Sequence, residues 1–394
     1  MILSTSARVE RIRPSPTLAV TDRARALRAE GVDVIGLGAG EPDFDTPAHI
    51  KEAAIRAIRD GATKYTAVGG IPELKDAISE KFRRDNGLEY GREQILVSCG
   101  AKQTLYNLCQ AVLNPGDEVL IPAPYWVSYP DMVLLADARP VIIEAGPGQG
   151  YKITPEQLEG ALSERSRLFI LNSPSNPTGA AYSRAELEAL GRALASHPRV
   201  LVSTDDMYEH IYWSKEPFCS FATACPELYD RTVTVNGVSK SYAMTGWRIG
   251  YAGAPAPIVK AMTKVQSQST SNPASVSQAA AVAALNGDQR CVSEMTKAFK
   301  ERHDFIVPAL NELPGVSCRP GDGTFYAFAD FTECIRAHDS IEDDVELAEY
   351  LLAAAGVALV PGTAFGAPGH LRVSFATDME TLKEAIKRLA ACLG

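Results

Sequence analysis

Lys240 lies in the run Asn236-Gly-Val-Ser-Lys-Ser-Tyr-Ala-Met-Thr-Gly-Trp-Arg-Ile-Gly-Tyr251, between the β-rich stretch Thr232 to Val235 and the apolar stretch Ile249 to Ala252. The segment is too rich in Gly, Ser and Thr for ordinary core, and Arg248 follows the lysine by eight positions. An ammonium kept from bulk water beside another cation loses its proton more readily, because both effects disfavour its charged form. Such a lysine suits an amine that forms a Schiff base beside a phosphate, whereas a lone Ser-Lys pair would read as a surface loop. Ser98-Cys-Gly-Ala-Lys102 sits where a strand gives way to a helix, and free N–H groups at a helix start favour an anion. Asp205, in Ser203-Thr-Asp-Asp-Met-Tyr208, follows a β-rich strand, where a carboxylate either points into a site or caps a helix. Arg372, in His370-Leu-Arg-Val-Ser-Phe-Ala376, is a lone cation in an apolar strand. Buried, it needs an acidic partner, either a structural one or a bound carboxylate. The loop Gly38-Ala-Gly-Glu-Pro-Asp-Phe-Asp-Thr-Pro47 has glycines that either turn the chain or bring backbone N–H groups close to a carboxylate.

The pattern around these groups predicts the elements that hold them. Two prolines in Arg13-Pro14-Ser15-Pro16 forbid regular helix and end an arm over residues 1–16. Helical periodicity follows from Thr17 to Glu30, then from His49 to Asp60 and again from Pro72. From residue 95 strands alternate with helices: Ile95 to Ser98, Val119 to Ile121, Pro140 to Ile143, Leu168 to Asn172 and Val200 to Thr204 read as strands. Ala101 to Leu113, Tyr129 to Ala136 and Arg184 to Ala195 read as helices. Such alternation predicts a largely parallel, doubly wound sheet with ligands at the carboxyl ends of its strands. Helices between Ala274 and Leu313 lead out of it, and strand-like segments at Phe325 to Phe328, Val357 to Val360 and Leu371 to Phe375 mix with two helices in a smaller α+β unit.

Composition narrows the class of function. A chain of 394 residues is too long for one ordinary core, and one large plus one smaller domain is expected. The net charge of -9, with no basic run, argues against a nucleic-acid partner. Eight scattered cysteines and six histidines show no metal-ligand spacing, so no metal is expected and the thiols read as small core residues. No apolar run approaches a membrane span and the start lacks a signal peptide's apolar core, which fits a reduced, cytoplasmic protein without membrane contact. Gly36-Leu-Gly-Ala-Gly40 lacks the last glycine spacing of a dinucleotide fingerprint and leads into Glu-Pro, which argues against a nicotinamide-dependent oxidoreductase.

Taken in chain order, these motifs resemble those of the class I and II (aspartate-type) aminotransferases, which use pyridoxal 5'-phosphate, over essentially the whole length. The similarity is closest to the bacterial aspartate aminotransferase branch. It implies fold type I: a large domain with a mostly parallel seven-stranded sheet flanked by helices, plus a smaller α+β domain. The implied division is 1–47 for the arm and part of the small domain, 48–290 for the large domain and 291–394 for the small C-terminal domain. Lys240 matches the cofactor lysine, and Gly100, Ala101 and Lys102 with Arg248 match the phosphate cradle. Tyr65, in Lys64-Tyr-Thr-Ala-Val-Gly-Gly70, matches a tyrosine that reaches the phosphate from the neighbouring subunit, so the resemblance implies a homodimer with shared sites. Many relatives carry a phosphate-binding serine three residues before the lysine; here that position is Gly237, with Ser239 nearby. The Asp-x-x-Tyr match puts Asp205 under the pyridine nitrogen and Tyr208 on the phenolic oxygen, with Asp206 as the competing carboxylate. Asn176, in Asn176-Pro-Thr-Gly179, matches a partner of that oxygen, and Trp126, with Tyr125 beside it, matches the ring-stacking aromatic. Arg372 matches the arginine for the substrate α-carboxylate, joined by the Gly40 N–H.

The implied reaction is ping-pong transamination between an amino acid and a 2-oxo acid, with Lys240 as acid and base. In this branch a lysine and small hydroxyl residues hold the distal carboxylate, and Lys102 and Thr17 match them, with Ser15 nearby and Arg13 as a further cation. Elsewhere in the family an arginine of the partner subunit does this, and the corresponding stretch Ser267-Gln-Ser-Thr-Ser-Asn-Pro273 has none. Aspartate with 2-oxoglutarate is therefore favoured, with aromatic amino acids and prephenate as alternatives and a cysteine β-lyase as a further one.

Overall fold

A computed structural model describes residues 4–12, 14 and 16–394. Its strands in chain order are β1 (Ile35–Gly36), β2 (Ile95–Ser98), β3 (Glu118–Ala123), β4 (Arg139–Glu144), β5 (Ser166–Asn172), β6 (Leu201–Asp205), β7 (Thr232–Gly237), β8 (Gly250–Gly253), β9 (Ser317–Cys318), β10 (Tyr326–Asp330), β11 (Val357–Ala358), β12 (Val360–Pro361) and β13 (His370–Ser374). Seven of them form one sheet in the order β2-β8-β7-β6-β5-β3-β4. Neighbours are parallel except β8, which runs antiparallel to both β2 and β7. Helices cover both faces, so the central strands are apolar almost throughout; Leu168 to Leu171 of β5 are all buried. With β8 reversed, β2 and β7 still run the same way. The carboxyl ends of β2, β3, β5, β6 and β7 therefore open on one edge, the edge that receives ligands in such sheets.

Side-chain caps set several helix starts. Ser183 Oγ accepts the Glu186 N–H at 3.3 Å, while the Glu186 carboxylate accepts the Ser183 N–H at 2.7 Å, and the helix Arg184–Ala195 begins there. Thr154 and Gln157 start the helix Pro155–Ala161 in the same way. That helix escapes the periodicity because only Leu158 is buried.

The second layer is a four-stranded antiparallel sheet, β12-β13-β10-β9, beside the parallel pair β1-β11. The apolar run Val357 to Val360, expected as one strand, divides between them: β11 pairs with β1 and β12 with β13. The 22-residue helix Arg290–Asn311 leads toward this layer and buries Val292, Met295, Phe299, Ile306 and Leu310, a stripe at helical spacing. Within the arm, expected to be irregular, residues 7–10 form a turn of helix, and Arg8 and Arg11 pair with Asp137. Arg13 and Ser15 lie outside the described residues. No helix among those described is long and apolar enough to cross a membrane, and all eight cysteines are free thiols.

Candidate active site

The turn after β7 is shaped by what surrounds it. A Cβ on Gly237 would lie 2.9 Å from Met207 Cε and 3.0 Å from the Ile249 carbonyl oxygen, so a side chain there would press on Met207 and on the neighbouring strand. Ser239, two residues on, is buried. The half-buried Lys240 donates its ammonium to the Gly40 carbonyl and stands 5.9 Å from the Phe325 ring centroid and 6.0 Å from that of Tyr208. Burial, helped by Arg372 and Arg248 and opposed by Glu41 and Asp205, lowers its pKa to about 8.

Asp205 ends β6 and is buried. Its Oδ2 accepts the Tyr129 hydroxyl at 2.7 Å, and burial pushes its pKa up, against that hydrogen bond and the nearby Lys240. The backbone behind it is pinned by Asn172, whose Nδ2 donates to the Asp205 carbonyl at 2.7 Å and whose Oδ1 accepts the Asn176 N–H at 2.8 Å. Asp206 turns elsewhere: it accepts the Ser220 hydroxyl at 2.7 Å, and burial, then Glu209, raise it to about 7. Tyr208 shares a 3.0 Å hydrogen bond with Tyr326, which stands over Gly40; a Cβ there would come within 2.9 Å of the Tyr326 oxygen.

At the end of β2, Gly100 has φ +87°, and a Cβ on it would lie 2.3 Å from Arg248 Nη2. Only glycine lets that guanidinium lie against the turn. The helix Ala101–Val112 starts here, and the first N–H groups of a helix, those of Ala101 and Lys102, have no acceptor within it. Arg248 is itself left-handed, φ +56°, and is held by Nη1 donation to the Thr245 carbonyl at 2.8 Å. Lys102 Nζ lies 4.9 Å from the ring of Trp126, which meets Tyr129 edge-on at 5.3 Å. Lys102 and Arg248 border one groove of about 490 Å³ with Cys99, Gln103 and Thr270.

Arg372, 2% exposed, projects from β13. Its Nη1 donates to Asn176 Oδ1 and its Nη2 to the Gly38 carbonyl, each at 2.8 Å, while the guanidinium lies 4.3 Å from the Tyr326 ring centroid. Its Nε has no partner, and among the described residues no acidic side chain forms an ion pair with it. Thus Lys240, Asp205, Tyr208, Asn176, Arg372 and Gly40 come together, and Gly100, Ala101, Lys102, Trp126 and Arg248 border them. Tyr65 does not join them: its side chain is 92% exposed on a separate surface groove. Thr17 stands half-buried at the start of the helix Pro16–Ala29. Sequence reasoning passed over Tyr129, Tyr326 and Asn172. Their one signal is that a buried hydroxyl or amide requires a partner.

An amine of lowered pKa, a buried carboxylate and a buried guanidinium lacking an acidic partner suit a site that handles an amine and a carboxylate at once. The family model for class I and II aminotransferases matches residues 32–389. An aspartate/prephenate aminotransferase of Nitrosomonas europaea is 56% identical over 98% of this chain and 99% of its own length. The crystal structure of the aspartate aminotransferase of Rhizobium meliloti superposes with a TM-score of 0.95 at 50% identity, covering 99% of both chains. The aspartate aminotransferase of Thermus thermophilus with maleate gives 0.93 at 45%, covering 99% of this chain and 100% of that one. The chain belongs to the class I and II aminotransferases, has fold type I, and takes pyridoxal 5'-phosphate as its cofactor. The residues fit that group: the glycine turn sets the Arg248 guanidinium beside the free N–H groups of Ala101 and Lys102, Asp205 has acceptor capacity beyond Tyr129, and the buried Ser98 hydroxyl has no partner.

Proposed function

We propose that this aminotransferase moves the amino group of aspartate to 2-oxoglutarate by a ping-pong cycle. The observation that carries the choice is two separate cations besides the phosphate groups: the buried Arg372, which has no acidic partner, for one carboxylate of the substrate, and the Lys102 ammonium for the other. The names of the Nitrosomonas and Rhizobium relatives, and the dicarboxylate maleate that accompanies the Thermus enzyme, support it. Prephenate, also a dicarboxylate, is the second reading, favoured by the first of those names.

The N–H groups of Ala101 and Lys102, Arg248 and Ser239 would hold the cofactor phosphate at the Gly100 turn. Trp126 would cover one ring face, Asp205 would hold the ring nitrogen, and Tyr208 and Asn176 would meet the phenolic oxygen. The bound cofactor supplies an aldehyde carbon and a ring that withdraws electron density. Arg372 and the Gly40 N–H would grip the α-carboxylate, which fixes the substrate Cα–H toward Lys240. The Lys240 amine, once free, would take the Cα proton and return it at a neighbouring carbon, as base and then acid. The buried Tyr208, Tyr326 and Phe325 exclude water from that transfer. Lys102 and Thr17 would receive the distal carboxylate.

Mixing the holoenzyme with aspartate alone tests this. The expected result is a change in cofactor absorption with oxaloacetate released, and a KM for aspartate about 10- to 100-fold higher in Lys102→Gln with that for phenylalanine unchanged. An inert response to aspartate with turnover of phenylalanine or prephenate would move the assignment to those substrates.

We also propose a homodimer in which Tyr65 serves the partner's phosphate. It is supported by the exposure of Tyr65 and by a groove of about 650 Å³ that Lys64 and Tyr65 share with Asn272 and Ser275. The two stretches that the family resemblance sends to the other subunit thus lie on one surface. Sedimentation should give a dimer; a fully active monomer would exclude shared sites. The division at 47/48 and 290/291 is proposed with it, and limited proteolysis should cut near Gly287 to Arg290 rather than within the seven-stranded sheet.

A further inference from the structure

Asp205 and Tyr208 face the site, but Asp206 and Glu209, one position after each, turn into a closed polar cluster. Glu209 and Lys81 form an ion pair with side chains 2% and 1% exposed. Glu209 Oε1 also accepts from Asn236 Nδ2 at 2.8 Å, and its Oε2 accepts from Asn86 Nδ2 at 2.8 Å. Lys81 Nζ donates to Asn86 Oδ1 at 2.8 Å. His210 and Asp85 border the same cluster, with His210 Nδ1 3.7 Å from Glu209 Oε1. Asn236 then passes the contact on, since its Oδ1 accepts the Gly237 N–H at 2.7 Å. A hydrogen-bonded path therefore runs from the residue after Tyr208 to the strand end that carries Lys240.

Buried ion pairs add little net stability, because desolvation cancels most of the attraction; their better attested use is to fix one arrangement of the chain. Four polar side chains closed from water and saturated with one another have that character. The cluster touches none of the groups placed at the reacting atoms. We propose that Glu209, held by Lys81 and Asn86 and bonded to Asn236, is a positioning residue that sets the Asp205–Tyr208 turn against the Lys240 strand. This rests on the roles proposed above for Lys240, Asp205 and Tyr208. Neutralising both charges while keeping the Asn236 bond should then leave the site in register, whereas cutting that bond should not.

The test compares two variants of the holoenzyme. Asn236→Ala cuts the path but leaves Glu209 paired with Lys81 and Asn86. The double variant Lys81→Met with Glu209→Gln removes the charges but keeps an oxygen facing Asn236. Asn236→Ala is expected to lower kcat about 10- to 100-fold with KM for the amino acid within about twofold, because the reacting groups and not the substrate grip are displaced. The double variant should keep kcat within about threefold of wild type whatever its melting temperature. If Asn236→Ala does not fold, Asn236→Leu fills the space without a hydrogen-bonding group and is read the same way. A kcat for the Asn236 variant within about twofold of wild type, or an equal loss in the double variant, would overturn the proposal. Wild type and Lys240→Ala are assayed alongside: an inactive wild type or an active Lys240→Ala defeats the site assignment instead.

Discussion

Lys240→Ala should lose amino transfer by about 10⁴-fold or more, since one residue supplies both the anchoring amine and the acid–base group. Folding should survive, because the amine makes one hydrogen bond, to Gly40, and otherwise lies over the Tyr208 and Phe325 rings. The check is steady-state turnover beside an unchanged melting curve; residual activity within tenfold of wild type would remove Lys240 from the mechanism. The amine's lowered pKa adds a pH signature. With a pKa of about 8, about a tenth of the amine is unprotonated at pH 7, against about 0.03% for an ordinary lysine near 10.5. Only the neutral amine attacks an aldehyde, so cofactor capture by the apoenzyme should rise with pH through a midpoint near pH 8 and level off about one unit above it. A rise continuing beyond pH 10 would mean that burial and the two guanidiniums do not act on the amine.

Arg372→Leu should separate activity from stability. The guanidinium is closed from water, leaves its Nε–H without a partner and has no acidic partner, so the folded chain carries the cost of desolvating it. An apolar side chain in its place on β13 should leave the melting temperature unchanged or raised, whereas kcat/KM should fall about 10³-fold for every amino acid, monocarboxylic or dicarboxylic. Loss confined to aspartate would mean that Arg372 grips the distal carboxylate and Lys102 the other. A large drop in melting temperature would make Arg372 structural.

The groups legible in the sequence are those whose chemistry interrupts a pattern. Lys240 breaks a stretch of small residues and Arg372 breaks an apolar strand. Gly100 marks a strand-to-helix turn where a side chain would collide with Arg248. The order of strands and helices from Ile95 to Asp205 is equally open apart from the helix Pro155–Ala161, because continuous apolar runs bounded by capping residues have few other solutions. Other features depend on partners far along the chain. Lys81 sits in Ser79-Glu-Lys-Phe-Arg-Arg84, which reads as a solvated helix end, and only the fold brings Glu209 and Asn236 to it. Nothing in Val357 to Val360 says that it serves two sheets, since the strands it joins lie at Ile35–Gly36 and His370–Ser374. The choice of Asp205 over Asp206 rested on the spacing to Tyr208, while the physical difference is that Ser220 occupies Asp206.

The hydrogen bond from Arg372 to the Gly38 carbonyl joins groups 334 positions apart. Contacts of such separation form late, because most of the intervening chain must be ordered before they are rewarded. During synthesis the lysine, the glycine turn and the buried aspartate all leave the ribosome well before the arginine does. On the roles proposed above, the groups for the cofactor are thus made before the clamp for the amino acid is complete.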